Sequence, residues 1–188
     1  MTIRDDSFSL PSRIVHWLMA PLLLVMLFIG IGMISTVSDW RLWLIGIHKP
    51  LGLALLVLVV LRLLLRLFGH SPAMPSSMPA WQRHVATVSH WLLYGAMLAM
   101  PLLGWGTLSA AGYPLPGIGD FHLPPIAPQN VTLYAWLRYA HGVCGEAFFA
   151  LIVVHIAAGL LHALVLKDGV FNSIALLRTK SNDRIDRR

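Results

Sequence analysis

Nine histidines lie in a chain of 188 residues that is 57% hydrophobic. An imidazole surrounded by apolar residues is costly unless something binds it. His141 and His155 are the most informative pair, being 14 residues apart in one apolar run. A helical rise of about 1.5 Å per residue separates them by roughly 21 Å. At about 3.6 residues per turn they return to nearly the same face. One helix so built can serve two stacked metal centres at different depths. Each centre needs a second imidazole if its iron is held from both sides, as in a b-type haem.

The elements that position these rings are membrane spans. Only 12% of residues are charged and the mean hydropathy is +0.71, too little polar surface to cover a water-soluble globule. Four apolar runs have the length of about 20 residues that a bilayer core requires. They cover about Ile14–Ile34, His48–Phe68, Val88–Leu108 and Arg138–Leu166. The expected fold is all-α, an integral membrane four-helix bundle forming a single domain over residues 1–188. The first run contains His16 and Pro21 and lacks a nearby small-residue cleavage site, so it does not read as a signal peptide. His70–Ala80 reads as a Pro/Ser linker and Ala110–Asn130 as a long extramembrane loop. Four spans put both ends of the chain on one side. That side collects Arg4, Arg13, Arg62, Arg66, Arg83, Lys167, Arg178, Lys180, Arg184, Arg187 and Arg188, eleven cations against Arg41, Lys49 and Arg138 on the other. Both termini are therefore expected in the cytoplasm. The seven tryptophans fall near the predicted span limits, as an aromatic belt requires.

Topology then selects partners by depth. His141 opens the fourth span near the outer surface, and His48 stands at the outer entrance of the second. His16 lies near the inner start of the first span, and His155 lies deeper on the fourth. The expected pairs are His48 with His141 outside and His16 with His155 inside, holding two haems b. A lone intramembrane histidine is as well explained by a hydrogen bond to a neighbouring helix; four matched in depth are not. His90 opens the third span from the inside and rivals His16 as an inner ligand, or bonds a haem propionate. His162 lies two turns past His155. It is a candidate for the edge of a quinone pocket, or an interfacial residue facing headgroups. His70 and His122 fall in loops, and His84 precedes the third span.

Among the remaining polar groups, Arg62 is the candidate partner of an inner propionate, because guanidinium binds carboxylate through two parallel bonds. Arg66, on the same face, reads as a snorkelling anchor. Lys49 and Arg138 adjoin the outer ligands, where they serve outer propionates, a small anion or the interface. Glu146 is an acid within the fourth span, a candidate for proton handling. Gly52, Gly142, Gly145 and Gly159 lie near ligand positions, with Gly30, Gly32, Gly95 and Gly104 elsewhere in the spans; small-residue helix packing explains any one of them equally well. Cys144 reads as a small packing residue. The formal net charge of +6 is distributed at span ends rather than in a stripe with exposed aromatics, which excludes a nucleic-acid partner. No nucleotide motif, cysteine haem-attachment motif or nucleophile constellation is present.

Four segments carry a resemblance: SRIVHW (Ser12–Trp17), HKPLGLALLVLVVLRLLLRL (His48–Leu67), SHWLLYGAMLAMPLLGW (Ser89–Trp105) and HGVCGEAFFALIVVHIAAGLLHALVLKDG (His141–Gly169). In this order they resemble the bacterial cytochrome b561 family across all four spans, and more distantly the cytochrome b subunits of nickel hydrogenases and formate dehydrogenases. The resemblance implies two haems b ligated by His16, His48, His141 and His155. It implies an oxidoreductase-type electron carrier in a bacterial inner membrane, linked to quinone. Some members of the family oxidise superoxide outside and reduce ubiquinone inside; others are membrane partners of dehydrogenases. Expected partners are membrane lipid, quinone, a redox partner protein and a second copy of the chain. Two rival functions stand beside this one: a membrane anchor and relay of a larger dehydrogenase, and a non-redox transporter or assembly factor with structural histidines.

Overall fold

A computed structural model describes residues 7–70, 72–75, 78–115, 117–118 and 121–176. Of the cations that set the expected orientation, Arg4, Arg178, Lys180, Arg184, Arg187 and Arg188 lie outside the described residues. Among the described residues four helices are long and apolar enough to cross a membrane: α1 (Leu10–Ser35), α2 (Trp40–Phe68), α3 (Ala80–Ala111) and α4 (Val131–Leu160). α4 runs on through a π-helical turn, Leu161–Leu166, and a short helix, α5 (Val170–Ile174), follows. The described strands are two residues each, β1 (Gly117–Ile118) and β2 (Phe121–His122), paired antiparallel within the α3–α4 connection. The chain is all-α in architecture.

Local chemistry explains where these helices begin and end. α1 opens with Pro11, whose missing N–H is no loss in the first turn. Gly112, at φ +68°, ends α3 in the left-handed region that favours glycine, and Tyr113 N–H closes the end on the Leu108 carbonyl at 3.0 Å. Asn130 starts α4 by accepting the Leu133 N–H at 2.9 Å. Lys167, at φ +51°, ends the π-helical turn. Each helix extends beyond the apolar span read from sequence. The difference is largest for α3, which begins at Ala80 and ends at Ala111; α2 begins at Trp40 and carries Pro50 in its interior. Proline near a helix start signals a boundary in water, but a membrane helix keeps it, because neighbouring groups satisfy the freed carbonyl.

α1 packs on α2 and α3 on α4, with α2 against α3 joining the two pairs. The buried core is thin. Val15, Met19 and Val59 form one cluster, and Leu93, Phe148 and Ile152 form another. Large apolar side chains cover the outside of every long helix, among them Phe28, Val57, Leu92 and Val154, a surface suited to lipid and not to water. Both described chain ends lie at one end of the bundle. There Phe8 N–H bonds the Ser173 carbonyl at 3.0 Å, Arg13 Nη1 donates to the Ala175 carbonyl at 3.0 Å, and Trp17 Nε1 donates to the Ile174 carbonyl at 2.9 Å. We call this the chain-end side, and the opposite end, with the α3–α4 connection, the loop side.

Candidate haem-binding sites

On the loop side, α2 presents His48 and α4 presents His141, with ring centroids 6.0 Å apart and planes crossed at 71°. Both rings are half-buried. Each has a buried nitrogen, Nδ1, with no hydrogen-bond partner among the described residues. His48 lies eight residues into α2, not at its entrance, since the helix starts earlier than the apolar run. α3 contributes space: a Cβ at Gly104 would stand 3.4 Å from His141 Cε1. Sequence reasoning had placed Gly104 only among glycines serving elsewhere, and nothing in a single helix reveals which neighbour a glycine faces. Gly52 faces α1, where a Cβ would meet Met26 Cε at 3.7 Å.

The cations beside this pair have protein contacts of their own. Lys49 Nζ lies 6.0 Å from the Tyr113 ring centroid, and Arg138 Nη1 donates to the Tyr134 hydroxyl at 2.9 Å. Glu146 is exposed and shares an open groove of about 530 Å³ with Tyr134, Arg138, Tyr139 and Gly142 on the outward face of α4.

On the chain-end side the rings of His16 on α1 and His155 on α4 have centroids 6.5 Å apart, with planes at 89°. α3 brings a third ring: His90 lies 5.6 Å from His155, and its Nδ1 is 2.6 Å from the Ala86 carbonyl oxygen. Arg62 of α2 sits over the Tyr94 ring at 5.8 Å, and Arg66 over Phe8 at 5.6 Å. Further out, His162 Nδ1 meets Asp168 Oδ2 at 2.6 Å, and Asp168 Oδ1 accepts the Val170 N–H at 3.2 Å. Tyr94 and Asp168 carried no assignment from sequence. Tyr94 follows His90 by one helical turn, which was a readable signal. Asp168 meets His162 only because the π-helical turn and the left-handed Lys167 fold the chain back.

The residues fit an iron held between two imidazoles. A metal–imidazole bond is about 2 Å and a ring nitrogen lies about 1.1 Å from its centroid, so two axial rings have centroids roughly 6 Å apart. The spacings of 6.0 and 6.5 Å match. Among the described residues no three side chains stand close enough together to hold a bare metal ion between them; haem supplies four nitrogens itself and asks the protein for only two. An apolar cluster lies between the two histidine pairs. Phe148, 4% exposed, stands seven residues from both His141 and His155, packed with Leu93 and Ile152.

Membrane-length helices with facing interior histidines define a class, the membrane cytochromes of the b type. The family model for prokaryotic cytochrome b561 matches residues 7–175, and the chain belongs to that family. It is similar to cytochrome b561 homolog 1 of Escherichia coli K12, at 27% identity over 171 residues, covering 87% of this chain and 93% of the relative. It is 30% identical over 156 residues to a Yersinia pestis protein named "Probable superoxide oxidase CybB", covering 82% and 87% of the two chains. Cytochrome b561 homolog 2 of E. coli K12 is 25% identical over 169 residues. The protein is thus a multi-pass bacterial membrane cytochrome that binds b-type haem and works in electron transfer.

Proposed function

We propose that the chain holds two haems b, one between His48 and His141 and one between His16 and His155, and passes electrons across the bacterial inner membrane to quinone. The observation that carries this reading is the pair of ring spacings near 6 Å, one at each end of the bundle. In this reading the termini are cytoplasmic, the loop side is outer and the chain-end side is inner. Haem, when bound, supplies the one-electron chemistry, and the protein orients it and tunes its potential.

Charge balance supports the inner site. Arg62 is half-buried in α2. Among the described residues the ion pair is His162 with Asp168, and no carboxylate pairs with Arg62. A propionate supplies that anion. His162, oriented by Asp168, is the candidate to handle protons where quinone is reduced, since a quinone takes up two electrons and two protons to become a quinol. The resemblance to a relative named as a probable superoxide oxidase favours superoxide as the outer donor. The balance is then two superoxide anions, one quinone and two protons giving two dioxygen molecules and one quinol.

The test is a pyridine haemochrome assay on detergent-purified protein, followed by superoxide addition with a ubiquinone analogue. Two haems b per chain, reduced by superoxide and reoxidised by quinone, are expected. One haem per chain removes one histidine pair, and absence of reduction by superoxide removes that donor. A second reading, a relay subunit of a larger dehydrogenase, is favoured by Glu146 on the outward face of α4. An acid facing lipid is costly, and a partner's helix or a second copy of this chain would cover it. Co-purification of a dehydrogenase that reduces the haems, lost in Glu146→Leu, would select that reading.

A further inference from the structure

Three imidazoles, not two, gather at the chain-end side. His155 has the His16 ring at 6.5 Å on one approach and the His90 ring at 5.6 Å on another. Both spacings bracket the roughly 6 Å that two axial imidazoles require around one metal. The two candidates come from different helices, His16 from α1 and His90 from α3.

His90 also has its ring set for ligation. Its Nδ1 lies 2.6 Å from the Ala86 carbonyl one turn back. A carbonyl only accepts, so Nδ1 carries the proton and donates it, leaving Nε2 with a free lone pair. Metal-binding histidines are commonly oriented this way, with the second nitrogen donating to a backbone carbonyl. The ring is exposed on α3, which leaves Nε2 open to a ligand, and in a membrane a polar nitrogen without a use is costly.

The geometry points to His90 as an alternative axial ligand of the inner haem, on the α3 side, able to take the position opposite His155 when His16 leaves it. This inference rests on the two-haem reading. In the exchange the bond His16 would make to the iron would break and one from His90 Nε2 would form. One neutral imidazole replaces another, so no electron or proton is gained or lost. His155 is the ligand common to both states. The inner site would then keep two imidazoles for the haem, His155 and His90, while α1 is released from it.

The experiment counts haem per chain and reads the spin state by electron paramagnetic resonance in His16→Ala, His16→Gln, His90→Ala and the His16→Ala/His90→Ala double variant. The outer haem, on His48 and His141, is the internal control for folding. Two low-spin haems are expected in both single His16 variants and in His90→Ala. The double variant is expected to fall to one low-spin haem. Fewer than two low-spin haems in both His16 variants overturns the inference, as does a double variant that keeps both. A wild-type protein with one haem would instead defeat the two-haem reading, so the two failures are distinguishable.

Discussion

An imidazole costs little in water and much inside a bilayer, and in the proposed two-haem reading the rings of this protein are explained by what binds them. His48 and His141 each bury an unpartnered nitrogen, so removing either leaves the outer site with a single ligand. His48→Ala and His141→Ala are each expected to lose one of two haems, read as half the wild-type haemochrome absorbance at unchanged protein concentration. Equal loss in the two variants is the signature of a shared site. In the proposed reading Arg62 acts through charge. A unit charge about 10 Å from an iron, at an effective dielectric constant of about 20, is worth roughly 1.7 kcal/mol, or about 70 mV for one electron. Arg62→Gln should therefore lower the midpoint potential of the inner haem by tens of millivolts and leave the outer haem unmoved in a potentiometric titration. Tyr94→Leu, which removes the ring beneath the guanidinium, should produce a smaller shift of the same sign.

The helices set the depth of each ring, and their contacts set the room around it. Gly104 lets α3 approach His141, where a Cβ would already stand at 3.4 Å. A branched side chain there meets the imidazole, so Gly104→Leu should lower outer-haem occupancy while the inner haem stays full. Gly142, by contrast, has open space at its Cβ position, and Gly142→Ala should leave both haems in place. Phe148 belongs to the apolar cluster between the histidine pairs. Phe148→Ala opens a cavity there and should destabilise the fold by about 3 kcal/mol, seen as a lower midpoint of thermal unfolding in detergent, with haem content at low temperature retained. The long helices were legible as apolar runs because a bilayer fixes a minimum length. Their ends were not, since Trp40–Ile47 and Val131–Leu137 continue as helix beyond the strongly apolar segment. Backbone hydrogen bonding propagates past the point where hydrophobicity falls.

At the scale of the whole molecule, four crossings put both described chain ends together, and the Arg13 and Trp17 contacts to Ala175 and Ile174 tie them. The proposed orientation predicts that a fluorescent protein fused to the C-terminus is bright, and that alkaline phosphatase fused there is inactive. A cysteine introduced at Asn130 in a Cys144→Ala background should be labelled from the outside of intact cells by a membrane-impermeant maleimide. The opposite pattern would invert the outer and inner assignments.

The sequence by itself determined the number of membrane-length helices, the class of fold and the spacing of the histidines along them. These are one-dimensional properties: apolar length decides whether a segment spans, and rise per residue decides how deep a ring lies. Neighbours across helices are another matter. That Gly104 faces His141, that His90 joins His155, that Tyr94 lies under Arg62 and that Asp168 returns to His162 were decided only by tertiary structure. Such contacts depend on each helix's rotation about its own axis and on its crossing with the next. Many packings of the same apolar faces satisfy lipid equally well, and only the interlocking of particular side chains selects one.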